Sequence, residues 1–290
     1  MKVLVAVDGS PGSDACLAAV LNRTWIQDKI HVVSVYASGL HRLTANTLSQ
    51  VRASEAVSNA SDRLSRQLAG VEVSSAILEG DAVHTLVKVA QEWQADMLFV
   101  GAHSDSPKPT VGSLTSELLK VIRCSITVVK TGNQKQHKEQ TEHTEENRFV
   151  ICVDAMAADL GVMKYSHLWP CPAQFLLLSI IPPPIERGSE NPKRDAEMFL
   201  DGLNRHHQQM SELTEHLKVY LRGLLPSSTV ESKIVEALEI GETIMAIANQ
   251  WQADVIVMSP HEHRGWDKFL VGSVSQEVAR HAHCSIELIR

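Results

Sequence analysis

The chain has 290 residues, of which 44% are hydrophobic and 21% are charged; this is the composition of an ordinary globular protein, and the length suggests about two domains. Its formal net charge of −7 argues against a nucleic-acid partner and an anionic membrane surface, and the 4% aromatic content argues against stacking platforms for single strands. No stretch approaches the ~20 apolar residues of a membrane span, and the five cysteines form no CxxC pair, so we expect a cytoplasmic protein with reduced, buried thiols.

The first part of the chain alternates strand and helix patterns. Strands are predicted at short apolar runs, at 3–7, 30–36, 71–78, 97–100 and 126–129. Helices are predicted at 13–21 with Ser13 as the N-cap, at 47–68, at 83–93, and from Gly112-Ser113 onward. This alternation predicts a five-stranded parallel sheet with right-handed crossovers and helices on both faces, an α/β doubly wound fold.

Residues 133–147 contain no apolar side chain and are rich in Lys, Glu, Gln, Thr and His. Such a segment cannot join a core, so we predict a polar linker between a first domain, 1–132, and a second domain, 148–290. A segment of this length extends to roughly 50 Å, enough to reach across a domain.

The second domain restarts the same order. Strands are predicted at 149–153, 174–181, 229–238, 255–258 and 286–289, and helices at 195–224, 242–251 and 273–280. In the long helix, apolar residues recur every seven positions at Leu203, Met210, Leu217 and Leu224. That spacing fits a coiled-coil seam, but we favour an amphipathic helix that covers the sheet.

An internal repeat indicates that the two domains are built alike. QEWQADMLFV at 91–100 returns as NQWQADVIVM at 249–258. Each copy is followed by a loop, then Val-Gly-Ser, then Cys-Ser-Ile. A repeat of this length is a whole domain, because solenoid units run roughly 20–50 residues.

Two segments of each domain are predicted to meet where ligands bind in open parallel sheets, at the carboxyl ends of the strands. One is the turn Asp8-Gly9-Ser10, and the other is the loop that ends at Gly112-Ser113. A glycine and a serine at a helix start offer backbone N–H groups and the positive end of the helix dipole to an anion, and Asp8 can accept hydrogen bonds from a base or a ribose. The alternative is that Gly112-Ser113 only caps a helix and Asp8 only shapes a turn.

The order Val-Ala-Val-Asp-Gly-Ser, Ala-Asp-Met-Leu-Phe-Val-Gly-Ala-His, Val-Gly-Ser and Cys-Ser-Ile-Thr-Val-Val resembles the universal stress protein family, here as a tandem member. The resemblance implies two adenine-nucleotide α-hydrolase-like domains. It also implies pairing through the last strands, 126–129 and 286–289, which are candidates for joining the two domains or two chains in a homodimer. The family contains ATP binders and non-binders.

The nucleotide residues that the resemblance implies fall in both domains. In domain 1 they are Asp8, Val35, Gly101, Gly112, Ser113 and Thr115. In domain 2 they are Asp154, Ile180, Gly272, Ser273 and Ser275.

Both phosphate loops depart from the family pattern Gly-x-x-Gly, nine residues, then Gly-Ser/Thr. In domain 1, Ser104 replaces the second glycine and the loop is two residues short. In domain 2, Ser259 and Glu262 replace both glycines, and Pro260 has no N–H to donate. Domain 1 is therefore the better candidate for ATP, with no metal beyond a nucleotide-bound Mg²⁺.

Our leading hypothesis is a stress-response protein that binds ATP or a related nucleotide and signals to an unidentified protein partner. The alternatives are a nucleotide-free interaction scaffold and, with least support, an adenine-nucleotide group-transfer enzyme; we expect no catalysis beyond slow ATP hydrolysis, since no catalytic motif is present. The pairs His261/His263 and His281/His283 are weak metal candidates, because HxH alone is a common sequence.

Overall fold

The fold is taken from a computed structural model, which describes residues 1–37, 43–102, 112–131, 147–154, 160–183, 192–259 and 272–290. The strands are β1 (Lys2–Ala6), β2 (Lys29–Tyr36), β3 (Glu72–Glu79), β4 (Met97–Gly101), β5 (Ser125–Val129), β6 (Asn147–Cys152), β7 (Ala173–Ile181), β8 (Thr229–Glu236), β9 (Val255–Met258) and β10 (Ser285–Leu288). The helices are α1 (Pro11–Leu21), α2 (Leu43–Gln67), α3 (Ala82–Glu92), α4 (Ser113–Val121), α5 (Pro192–Leu224), α6 (Ile240–Gln250) and α7 (Ser273–His281). The predicted linker lies outside the described residues except for Asn147, where β6 begins.

The strands form one sheet in the order β3-β2-β1-β4-β5-β10-β9-β6-β7-β8. Within each half, β1–β5 or β6–β10, neighbouring strands are parallel, whereas β5 and β10 pair antiparallel. The predicted fold class is therefore confirmed, and so is the role of the last strands in joining the two halves. The two predicted sheets are continuous across that join.

Burial explains why the central strands could be predicted from the sequence. β1, β4, β5 and β6 each contain at least three consecutive buried residues, most of them apolar, as expected for parallel strands covered by helices. The outermost strands β3 and β8 instead consist mainly of exposed and half-buried positions, and only Val230 in β8 is buried. Predicted strand ends agree with the structure to within two residues, and the larger errors are at the starts of helices.

The start of α1 was predicted wrongly. The N-cap is Ser10, whose hydroxyl accepts a hydrogen bond from the backbone N–H of Ser13, and Pro11 is the first helical residue. Ser13 lies inside the first turn. The two serines are three residues apart, so each of them fits a capping pattern when the sequence is considered alone.

The long helix α5 covers the sheet, as favoured over a coiled-coil seam. Met210, Leu217 and Leu221 are buried, and the last two belong to the apolar layer on one face of the sheet. Leu224, the last of the seven-residue series, is 39% exposed. The repeat therefore marks the face that packs on β7 and β8.

Half two has no counterpart of α1 among its described residues. Between β6 and β7 the structure describes two short 3₁₀ turns, Leu160–Met163 and Ser166–Leu168. The Trp169 side chain that follows them is fully buried and stacks on Phe149, with ring centroids 5.6 Å apart. A single aromatic side chain thus fills part of the space that a helix occupies in half one.

The β5–β10 junction has local two-fold symmetry. Three residue pairs form it, and the middle pair places Glu287 opposite Thr127. The Nζ of Lys130, after β5, donates to the carbonyl of Ala282 at the end of α7, at 2.5 Å. In return, the guanidinium of Arg290, after β10, donates to the carbonyl of Ile122 at the end of α4. Each half thus places a cation at a helix C-terminus of the other, where the helix dipole favours it.

A buried ion pair breaks this symmetry at its centre. Glu287 is fully buried, and its carboxylate accepts hydrogen bonds from the guanidinium of Arg23 in half one and from the indole N–H of Trp169 in half two, the latter at 3.2 Å. The guanidinium also lies 5.8 Å and 5.7 Å from the ring centroids of Phe99 and Phe149. One buried charge pair therefore connects the halves.

Replacing Arg23 by methionine leaves the Glu287 carboxylate uncompensated, so we expect the free energy of unfolding to fall by about 3–5 kcal/mol. In the double variant Arg23→Met/Glu287→Gln no charge is buried and the amide oxygen still accepts from Trp169, so the loss should be much smaller. Urea unfolding of the single and double variants measures the coupling. Additive losses would contradict this account.

Burial lowers the pKa of Lys130 from 10.5 to about 8. Between these two pH values the Lys130 amine is protonated in the unfolded chain and neutral in the folded chain. The contribution of Lys130 to the free energy of unfolding therefore rises with pH, and it is lost as pH falls through about 8. Relative to Lys130→Met, the wild-type chain should gain about 1 kcal/mol between pH ~7.5 and pH ~9. Urea unfolding of both proteins at these pH values measures the gain. Comparing the two removes the opposing effect of the buried thiols, and a flat difference would contradict the pKa shift.

Candidate functional site

The predicted half-one residues do converge at one edge of the sheet. Asp8 follows β1, Val35 is the residue before the last of β2, and Gly101 ends β4. Thr115 lies in the first turn of α4, and its hydroxyl donates to the carbonyl of Gly101 at 3.4 Å. The carboxyl ends of three neighbouring strands and the start of α4 therefore lie together at this edge.

Asp8 organises the turn after β1. Its carboxylate Oδ1 accepts hydrogen bonds from the backbone N–H of Ser10 at 2.9 Å and from the hydroxyl of Ser13 at 2.5 Å. The same hydroxyl accepts from the backbone N–H of Asp8 at 2.8 Å. Gly9, at φ +77°, supplies the left-handed conformation that this turn requires. Asp8 is thus held in place by Ser13, a residue whose role the sequence analysis missed.

Gly101 is required by the packing of α1. A Cβ added there would lie 2.6 Å from the backbone carbon and oxygen of Gly12, closer than such atoms approach. The start of α1 therefore crosses directly over the end of β4, backbone against backbone. The packing of α1 therefore explains why Gly101, the first glycine of the predicted phosphate loop, is a glycine, without reference to any ligand.

The two helix starts are alike. Gly112 caps α4 and Gly272 caps α7, both in an extended conformation and both without a side-chain hydrogen bond to the cap. Ser113 and Ser273, the first residues of the helices, are exposed. Both starts thus match the geometry of an anion site, in which backbone N–H groups and the helix dipole point outward.

The second predicted hydroxyl residue of each half lies deeper. Thr115 is fully buried, and Ser275 is 3% exposed. Both side chains therefore lie beneath the helix starts. The hydrogen bond of the Thr115 hydroxyl to the Gly101 carbonyl also connects α4 to β4.

Several predicted features lie outside the described residues, namely Ser104, Pro260, Glu262 and the pair His261/His263. His281 and His283 are described. Within the described ranges, no three His, Cys, Asp or Glu side chains are arranged to hold a metal ion.

In half two, three of the predicted residues line a cavity of about 240 Å³: Asp154, Ile180 and Ser275. Gly272 and Ser273 are not among its lining residues. The walls also include Met210 and other residues of α5, which the sequence analysis assigned only to the core.

The cysteines near these regions are not nucleophiles. Burial, aided by the negative charge of Asp8, raises the pKa of the Cys16 thiol far above its usual range. Burial likewise raises the pKa of Cys152, which lines the half-two cavity, to about 12. Thiols with such pKa values stay protonated near neutral pH, so neither can attack a substrate.

The model of the Universal stress protein family matches residues 1–130 and 173–290 of the chain. The unmatched segment, 131–172, contains β6 and the two 3₁₀ turns. The unmatched segment thus includes the stretch in which the described residues of half two show no counterpart of α1.

Solved structures share the fold over the whole chain. A universal stress protein from Archaeoglobus fulgidus DSM 4304 is 14% identical, with a TM-score of 0.60 over 100% of this chain and 98% of that one. A functionally unknown protein from Pseudomonas aeruginosa PAO1 is 12% identical, with a TM-score of 0.58 over 99% and 92%. A family protein from Arabidopsis thaliana with AMP bound covers 45% of this chain and 91% of its own, at 16% identity and a TM-score of 0.35.

The close contact of Gly12 and Gly101 can be tested through stability. We expect Gly101→Ala to lower the free energy of unfolding by about 1–3 kcal/mol, because the added methyl must displace backbone. Gly223→Ala is the matched control: nothing lies within 4 Å of its Cβ position in α5, so this change should be neutral or stabilise by up to about 1 kcal/mol. Thermal and urea unfolding measure both, and an unaffected Gly101→Ala would refute the packing role.

Proposed function

The chain belongs to the universal stress protein family, and from this we propose that it is a cytoplasmic stress-response binding and signalling protein whose half one holds ATP or a related nucleotide. The observation that carries the proposal is the meeting of the Asp8 turn, Gly101 and the uncapped start of α4 at one edge of the sheet. All five cysteines are free thiols, which supports a reducing compartment. No helix in the described ranges is long and apolar enough to cross a membrane.

The phosphates would lie at the start of α4. Gly112 has no side chain to obstruct them, and the backbone N–H groups of the first turn would donate to their oxygens. The exposed hydroxyl of Ser113 adds a donor at the same place. Thr115 would support the site from below, because its hydroxyl is bonded to Gly101. Mg²⁺ would arrive with the nucleotide.

The nucleoside would extend toward the ends of β1 and β2. Val35 offers an apolar contact there, and the Asp8 turn offers polar groups. Because Asp8 is held by Ser10 and Ser13, the turn is ordered before any ligand arrives, and less ordering entropy is lost on binding.

Signalling rather than catalysis fits these groups. A nucleotide at the start of α4 would bridge β1, β4 and α4, so binding would stabilise one arrangement of these elements for a protein partner to recognise. The buried Cys16 thiol near Asp8 is protonated and cannot act as a nucleophile. Hydrolysis, where it occurs, would be slow.

The chain would supply its own partner for the last-strand pairing, since β5 and β10 already occupy each other. A homodimer would then form through another surface. In the described sheet the outermost strands are β3 and β8.

One observation favours the alternative of a nucleotide-free scaffold. The Oδ1 atom of Asp8 already accepts two internal hydrogen bonds, so part of the carboxylate is committed to the turn. The exposed stretch of α5 that includes Val219 and Tyr220 would then be a contact surface.

A titration of ATP with Mg²⁺ into two aspartate variants separates these proposals. Aspartate is a good N-cap, so Gly112→Asp and Gly272→Asp should both fold, but each places a carboxylate where phosphates would lie. We expect Gly112→Asp to weaken ATP binding at least about tenfold, a loss of about 1.4 kcal/mol, and Gly272→Asp to leave the affinity unchanged.

Isothermal titration calorimetry measures both affinities. Absence of ATP binding by the wild-type chain would support the scaffold. Equal affinity in all three proteins would place the nucleotide away from the start of α4.

A further inference from the structure

The half-two cavity lies at the carboxyl ends of β6, β7 and β9, beneath α5 and beside the starts of α6 and α7. In half one, α1 begins over the end of β4, where Gly101 touches Gly12. In half two the corresponding approach is looser, since a Cβ on Gly161 would be 4.0 Å from the hydroxyl of Ser259. Val162, in the first described 3₁₀ turn of half two, lines the cavity, so this turn lies beside it.

The covering helices differ in the same place. The same number of residues separates the end of α2 from β3 and the end of α5 from β8. Positions counted back from the two helix ends can therefore be compared. Three buried alanines of α2 correspond in this way to three larger side chains of α5. The pairs are Ala53 and Met210, Ala56 and Leu213, and Ala60 and Leu217. In half one, α2 presents small side chains toward α1. In half two, the longer aliphatic side chains of α5 line the cavity.

The charge of the walls is wrong for an anion. Among the described residues that line the cavity, no Lys or Arg occurs, His206 is the one basic side chain, and Asp154 is a carboxylate. A phosphate or carboxylate group placed there would lie near the Asp154 carboxylate and, among these described residues, would find no guanidinium or ammonium group as a partner. The polar groups that remain, such as the hydroxyls of Ser259 and Ser275, suit a neutral hydrogen-bonding group.

The volume sets the size of the ligand. An apolar cavity of about 150 Å³ accepts benzene, so about 240 Å³ accommodates roughly ten non-hydrogen atoms. That is far fewer than an adenine nucleotide contains. The flexible side chain of Met210 lets the wall adapt to a chain-like molecule.

We propose that half two binds a small, uncharged, mainly aliphatic molecule with one hydrogen-bonding end, the chemistry of a medium-chain alcohol. Its chain lies against Met210, Leu213 and Ile244, and its polar end meets the ends of the strands near Ser259 and the start of α7 near Ser275. This site is separate from the one proposed for a nucleotide in half one. The two halves thus recognise ligands of opposite polarity.

The first test titrates 1-octanol and octanoate into the full chain at pH ~8 and measures binding by calorimetry or NMR chemical shifts. 1-Octanol should bind with one equivalent, and each CH₂ removed should weaken binding about fourfold. Octanoate should bind at least about tenfold more weakly, because its carboxylate lies near Asp154 and meets no Lys or Arg among the described lining residues. Saturating ATP should not displace the alcohol.

Three results would overturn the proposal: no binding of 1-octanol, equal or tighter binding of octanoate, or displacement by ATP. None of them depends on whether half one binds a nucleotide, so failure here is distinguishable from failure of the proposed function.

The second test changes the cavity at one position in two directions. Leu213→Phe fills it and should weaken 1-octanol binding at least about tenfold, whereas Leu213→Ala enlarges it and should shift the preference toward 1-decanol. Val219→Phe, which adds the same ring on the exposed side of α5 at a residue 70% exposed, is the matched control and should bind as the wild type does.

Circular dichroism establishes that each variant is folded. Where Leu213→Phe fails to fold, the chain-length shift of Leu213→Ala decides. An unchanged alcohol affinity in Leu213→Phe, or an unchanged chain preference in Leu213→Ala, would contradict binding at this cavity.

Discussion

The architecture depends on the antiparallel contact between β5 and β10. It makes one continuous sheet from two parallel halves and places Glu287 at the buried centre of the join, opposite Thr127. A buried carboxylate is tolerated only with a partner, and Arg23 provides it from the other half. Two second halves paired in the same way would bring two Glu287 carboxylates together without this cation. The junction therefore favours the pairing of unlike halves within one chain.

The helix α1 connects this junction to the candidate site of half one. Its beginning covers Gly101 in half one, and Arg23 follows directly after its end. Half two lacks this helix in its described residues and uses Trp169 to complete the same ion-pair cluster. The indole N–H of Trp169 satisfies the second carboxylate oxygen, so the ion-pair cluster is complete without a counterpart of α1 among the described residues of half two. At the strand ends, the start of α1 crosses over β4 in half one, whereas an apolar cavity lies at the ends of β6, β7 and β9 in half two.

Prediction from sequence worked best where the signal is local and repeated. Buried strands such as β1 and β4 were visible as apolar runs, and the starts of α4 and α7 were visible as Gly-Ser after a loop. The position of Ser13 was misassigned, because either serine near the start of α1 fits a capping pattern and only the contact with Asp8 separates their roles. Met210 was correctly placed on the core side of α5, but its position at a cavity could not be inferred.

The sequence by itself determined the order of strands and helices, the repeat and the family, because each is written in residues close together along the chain. Only the tertiary structure decided how the halves differ. Arg23 and Glu287 lie 264 positions apart, and no periodic pattern reports a contact of that kind. The cavity is likewise lined both by the described 3₁₀ turn after β6 and by side chains of the distant helix α5. Such features arise from the packing of remote segments, and they become visible only when the sheet is assembled.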